Sequence, residues 1–181
     1  MKKLMLSVMG AAALALAGCG ASQPSESEWS PSPDFAADVV GPRFELRLKG
    51  ENNPGYGSAL VQVRRLSVTT PEGQPLPVRL KSRQPLELTL AEQSHLVGLF
   101  VVPEGVSVER VRVEVEFDDF GGWEKGEGGG VIDTRVAPLR FESPLAYLTR
   151  RGRAVVHLNL DTSLRPAGEA RLLLPALDVR Y

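Results

Sequence analysis

The sequence predicts an all-β fold, an antiparallel sandwich of about seven to eight strands, and three observations carry the prediction. Apolar and polar residues alternate with period two through most of residues 43–181, the pattern of strands with one face in a core and one in water. Clusters of Gly, Pro and Asn interrupt these runs at regular intervals, as "NNPGYG", "TPEGQP", "VPEGV", "RRGR" and "RPAGEA", and such clusters are turn signals. Helical periodicity is weak throughout. "LTLAEQSHLVGLF" has helix formers but no capping pattern and holds Gly98, so one short helix or turn is the most it predicts.

Taken in order, "FELRLKG" sets Phe44, Leu46 and Leu48 against Glu45, Arg47 and Lys49. "ALVQVRRLSVTT" places Ala59, Val61 and Val63 on one face, then changes phase at Arg64-Arg65 so that Leu66 and Val68 take over. A phase change at a charged pair predicts a β-bulge or a move to another sheet. "LPVRL" and "PLELTL" continue the pattern with Val78, Leu80, Leu86, Leu88 and Leu90. "VRVEVEF" alternates without a fault from Val111 to Phe117, "AVVHLNL" offers Ala154, Val156, Leu158 and Leu160, and "RLLLPALDVRY" closes the chain.

The N-terminus carries a different message. "MKK" followed by the apolar "LMLSVMGAAALALAG" has the form of a secretory signal, too short for a membrane span. It ends in Leu16-Ala17-Gly18-Cys19, which resembles the bacterial lipobox. The resemblance implies cleavage before Cys19 and a covalent lipid of three acyl chains, palmitate among them, on its sulfur and new amino terminus. Three chains exceed the two needed for stable anchoring. Gly20, where Asp would favour the inner membrane, implies the outer membrane of a Gram-negative cell envelope. The domain organisation expected is a signal peptide over residues 1–18, a lipidated Ser/Pro-rich tether over 19–42 and one β-sandwich over 43–181. Trp29 and Phe35 are the aromatic exceptions in the tether.

Cys19 is the single Cys, so the folded domain contains no disulfide. Lys and Arg number 21 against 22 Asp and Glu, and losing Lys2 and Lys3 leaves 19 cations against the same 22 anions. Such a chain lacks the basic footprint of a nucleic-acid binder.

Across residues 43–181 the strands also resemble a bacterial lipoprotein domain of uncharacterised function, a sandwich of transthyretin-like or carboxypeptidase-regulatory-like topology. "LVQVRRLSV", "PLELTLAE", "HLVGLFVVPEGVSVERVRVEVE", "APLRFESP", "RAVVHLNLDTSL" and "LLLPALDVRY" carry the likeness. Pro103, Glu104 and Gly105 match the family's Pro-x-Gly. Asn159 and Asp161 stand where it has two acids, so one carboxylate is missing. The resemblance implies no activity.

Candidate chemistry is sparse. His157, Asn159 and Asp161 fall at i, i+2 and i+4, on one strand face at roughly 7 Å intervals, and read first as a polar solvent face opposite Val156, Leu158 and Leu160. His95 stands alone. Ser58 in "GYGSAL" lacks the closing glycine of a nucleophile elbow and opens a strand instead. Arg64-Arg65 and Arg150-Arg151-Arg153 are small basic clusters, read as solvated edge charge. "EFDDFGGWEKGEGGG", residues 116–130, fails the spacing of both an EF-hand and a calcium nonapeptide. Between the strand ending at Phe117 and "VIDTRV" it reads as a glycine-rich hairpin loop over 118–130. Asp118, Asp119, Phe120 and Trp123 are its candidate binding residues, with Trp123 the expected exposed aromatic.

The expectation is therefore a non-catalytic binding or assembly module of the cell envelope, with no metal and no cofactor beyond the lipid on Cys19. Its partners would be the membrane through that lipid, and an envelope protein or glycan. A structural accessory subunit of a larger complex is the alternative, and a carbohydrate-active or metal-dependent enzyme the weaker one.

Overall fold

The computed structural model describes residues 39–81 and 83–181; the signal, Cys19, Trp29, Phe35 and the tether up to residue 38 lie outside them. The first strands are β1 (Arg43–Glu51), β2 (Ser58–Val61), β3 (Val63–Thr69), β4 (Val78–Leu80) and β5 (Leu86–Glu87). Then come β6 (His95–Val101), β7 (Arg110–Phe117), β8 (Phe120–Lys125), β9 (Gly128–Asp133) and β10 (Leu139–Pro144). The chain closes through α1 (Leu145–Arg151), β11 (Arg153–Asn159), α2 (Leu160–Ser163), β12 (Leu164–Ala167), β13 (Ala170–Leu173) and β14 (Leu177–Arg180).

The fold is all-β and sandwich-like, as the alternation predicts, but more finely divided. Its strands form a five-stranded sheet in the order β14-β11-β1-β6-β4, a three-stranded sheet β10-β7-β3, and a six-stranded sheet β12-β13-β9-β8-β2-β5. Pairing is antiparallel except for β1 with β11 and β9 with β13, which run parallel.

The inner faces of all three sheets meet in one core. Phe44, Leu46 and Leu48 of β1, Leu66 and Val68 of β3, Val111, Val113 and Val115 of β7, Ile132 of β9 and Leu158 of β11 are all buried there. Each such side chain contributes about 1.5–3 kcal/mol by leaving water. Gly98 of β6 is hemmed in twice: a Cβ there would lie 2.7 Å from the Leu66 side chain of the facing three-stranded sheet and 2.7 Å from the Arg79 carbonyl oxygen of β4 beside it.

The phase change at Arg64-Arg65 is both things the sequence offers. Strand pairing runs from Ser58 opposite Glu124 to Leu60 opposite Gly122, then from Val63 opposite Phe117 to Thr69 opposite Arg112. The register slips between Val63 and Arg65. One long antiparallel ribbon is thus bent, with β2 and β8 in the six-stranded sheet and β3 and β7 in the three-stranded one. A bulge of this kind lets a strand change sheets at a corner.

Two helices lie outside the expected pattern, and the segment 88–94 forms turns rather than a helix. α1 opens after Pro144, buries Leu148 and ends at Gly152, whose φ of 71° allows its N–H to reach the Leu148 carbonyl at 2.6 Å. α2 is a single turn with Asn159 as its cap, the side chain accepting from the Thr162 N–H at 3.2 Å. At the start of the described chain, Val40 and Pro42 accept main-chain bonds from Glu104 and Val102.

Candidate functional site

The glycine-rich segment is not a loop. Residues 118 and 119 make the corner of the bent ribbon, and Phe120 onward forms the hairpin β8–β9, paired from Phe120 with Asp133 to Lys125 with Gly128. The Asp118 N–H donates to the Gln62 carbonyl at 2.8 Å, and Thr134, itself buried, binds both corner carbonyls, Asp118 through its hydroxyl and Asp119 through its N–H. Arg64 bridges Asp119 at 3.1 Å and Glu116 at 3.4 Å. The main chain of both aspartates and the carboxylate of Asp119 therefore serve the bend. Only Gly126 needs a positive φ, 59° at the hairpin tip.

Trp123 is not the exposed aromatic. It lies half-buried on the inner face of β8, edge-on to Tyr56 with centroids 6.0 Å apart and under the Arg171 guanidinium at 4.8 Å. A Cβ at Gly130 would sit 3.2 Å from the indole nitrogen, so the indole covers ground that glycines leave bare. Neither the Trp123 indole N–H nor the Arg171 Nε has a hydrogen-bond partner among the described residues.

Phe120 takes the role expected of Trp123. It is 55% exposed on the outer face of the six-stranded sheet, with Arg135 over its ring at 4.7 Å. Direct pairing sets Leu60, Gly122 and Val131 in one row across β2, β8 and β9. Leu60 is 37% and Val131 46% exposed, and nothing lies within 4 Å of the place a Gly122 Cβ would take. Leu172, opposite Asp133 on β13, continues the band. The result is a shallow apolar surface with a bare centre.

Charge flanks that surface at Asp133, at Glu87 and at the exposed Glu124 of β8. Asp133 is held by Arg135 through a side-chain bond at 2.7 Å and the Arg135 N–H at 3.0 Å, which bring its pKa down to about 2. Glu87, opposite Leu60, accepts from the Ser58 hydroxyl at 2.5 Å, the Ala59 N–H at 2.9 Å, and the Thr89 N–H and hydroxyl. Burial raises the Glu87 pKa, but these four donors outweigh it and leave the carboxylate below its ordinary range. Ser58 opens β2 and spends its hydroxyl proton on Glu87, while the His95 Nε2–H donates to the Glu87 carbonyl at 2.7 Å. This arrangement pins a strand edge and does not line up a nucleophile with a base.

The row of His157, Asn159 and Asp161 is not held together. The strand ends at Asn159, which turns to cap α2, and Asp161 sits exposed in the first turn of that helix. His157 is only 8% exposed, its Nδ1–H donating to Glu51 at 2.5 Å. Arg180 of β14 clasps the same carboxylate with two bonds of 3.1 Å. Burial raises the Glu51 pKa, and the His157 bond with the charges of His157, Arg180 and Lys49 brings it below the usual value. Among the described residues, no three His, Cys, Asp or Glu side chains gather to hold a metal ion.

The two basic clusters part company. Arg64 and Arg65 are paired with Glu116 and Asp119, whereas Arg150 lies over Tyr147 and Arg151 and Arg153 are exposed around the end of α1. Phe120 is among the sequence candidates, but its neighbours Leu60 and Val131 escape sequence reasoning because glycines interrupt their row; the signal for them is the outward phase of Leu60 between buried Ala59 and Val61.

Compared with protein-family models, with curated proteins and with solved structures, the chain matches none of them.

Proposed function

We propose that the chain is a lipoprotein of the bacterial cell envelope, held at the outer membrane by a lipid on Cys19, whose β-domain is a non-catalytic binding or assembly module. The lipobox-like Leu16-Ala17-Gly18-Cys19 supports the anchor. The likeness of residues 43–181 to uncharacterised lipoprotein sandwiches is part of the same reading and adds no activity to it.

The observation that carries the binding reading is the outward row of Leu60, Gly122 and Val131 with Phe120 beside it. An apolar band in the middle of a solvent-facing sheet is a contact surface by its composition. With few convergent hydrogen-bond donors and an aromatic at its margin, it favours a protein partner over a glycan. Two substitutions test the halves separately. Cys19→Ser is expected to accumulate as an unprocessed precursor that takes up no fatty-acid label. Val131→Asp is expected to leave processing and folding intact and to remove an envelope protein that otherwise co-isolates after crosslinking. A partner retained by Val131→Asp overturns the binding surface; normal processing or fatty-acid labelling of Cys19→Ser overturns the anchor.

A further inference from the structure

β10 ends the three-stranded sheet, and its free side is more specific than an ordinary edge. Its pairing with β7 sets Leu139 opposite Val115 and Phe141 opposite Val113. The Leu145 N–H donates to the Glu109 carbonyl at 2.8 Å in the same register. In an antiparallel pair, directly opposed residues alternate between those that exchange main-chain bonds and those that do not. Leu139, Phe141 and Ser143 therefore bond to β7, and the N–H and C=O groups of Arg140 and Glu142 point away from the sheet. Among the described residues no hydrogen bond to the main chain of Arg140 or Glu142 comes from that side. Pro138 and Pro144 at the two ends carry no N–H to offer.

We infer that the β10 edge is an interface between two copies of this chain, joined antiparallel about a two-fold axis at Phe141. The register follows from the residues. Centred on Phe141, each copy's Arg140 faces the other's Glu142, and both residues exchange their outward main-chain bonds. Centring on Arg140 or Glu142 opposes like charges, and centring on Leu139 or Ser143 sets a proline where a donor is needed. In the register on Phe141 the opposed side chains are an ion pair on the outer face. They extend a ladder in which Arg140 already binds Glu114 at 2.8 Å and Glu142 binds Arg110 and Arg112 at 3.1 Å. On the inner face the half-buried Phe141 meets its own copy at a non-bonded position, where Cα atoms are about 4.5 Å apart and aromatic pairs stabilise strand pairing.

The other strands that end a sheet offer less. β4, β5 and β14 are three, two and four residues long, β12 carries Pro166, and β3 already accepts the Leu76 N–H at Val68. An unblocked edge pairs readily with another strand, and a two-fold interface needs only a self-complementary patch.

The test uses the full chain with Cys19→Ser, so that an engineered thiol stands alone. Phe141→Cys puts two thiols at a Cα spacing inside the disulfide range of about 4.4–6.8 Å. Mild oxidation is expected to give a linked dimer several-fold faster than Ser67→Cys on the outer face of β3. Adding Arg140→Glu is expected to suppress the link, because glutamates then oppose each other, and adding Glu142→Arg as well is expected to restore it. Sedimentation of the Cys19→Ser chain with and without Arg140→Glu gives the same comparison without touching Phe141. A linking rate at position 141 no greater than at position 67, or a charge-exchanged double variant that stays unlinked, overturns the interface.

Discussion

The outer faces of the three-stranded and six-stranded sheets are halves of one bent ribbon, yet they treat water differently. On β3, β7 and β10 the outward residues are Arg65, Arg112, Glu114, Glu116, Arg140 and Glu142, each with an oppositely charged partner. On β2, β8 and β9 they include Leu60, Phe120, Gly122 and Val131, with charge around them at Glu87, Asp133 and Glu124. A laddered charged face keeps a sheet soluble at little gain in stability. A face of apolar residues around a glycine does neither job, and this contrast is what supports the proposed binding surface on the second half.

The largest effect expected separates two adjacent glycines on opposite sides of β8. A Cβ at Gly121 would lie 2.2 Å from the Leu60 carbonyl oxygen, against open space at Gly122. Gly121→Ala is therefore expected to lose about 3 kcal/mol or more of stability. Gly122→Val is expected to leave stability within about 0.5 kcal/mol while weakening partner capture. Urea melts of the two variants compare them directly, and equal losses would remove the distinction between the faces.

A smaller effect belongs to the margin. Glu87→Ala leaves the Ala59 N–H without its acceptor, at a cost of about 2 kcal/mol, and Glu87→Gln is expected to cost less because its amide oxygen still accepts. The Glu87 pKa is depressed on folding. Its contribution is thus complete above the unfolded value of about 4.3 and fades as pH falls through the lower folded value. Melting profiles against pH are expected to be flatter below pH of about 4 in Glu87→Gln than in the native chain. The smallest effect is on the charged face, where Glu114→Gln breaks an exposed pair worth no more than about 1 kcal/mol and screened by salt. A loss as large as that of Glu87→Ala would mean that this ladder is structural.

Much of the fold was legible because alternation survives wherever side chains are present. β1, β7 and β11 bury the residues their sequence marks, and Arg64-Arg65 announces the bend. The hairpin β8–β9 reads as a loop in the sequence for the same reason: glycine shows no face, so "FGGWEK" and "GGGVID" carry no period even though both are strands. Trp123 looked exposed because tertiary cover from Tyr56 and Arg171 lies 67 and 48 residues away in the chain. His157 looked solvent-facing because Glu51 and Arg180, which bury it, come from β1 and β14. α1 and α2 are too short to show helical periodicity, although Asn159 followed by Asp161 is a capping pattern open to a closer reading.

The most direct measurement sets the two faces against each other in living cells. A photo-crosslinking side chain is placed at Val131 on the apolar face, or at Ser67 on the laddered one, in the otherwise native lipidated chain. The account predicts a discrete crosslinked envelope protein from position 131, lost when Gly122→Val is added, and none from position 67. Equal crosslinking from both positions, or from position 67 alone, contradicts it.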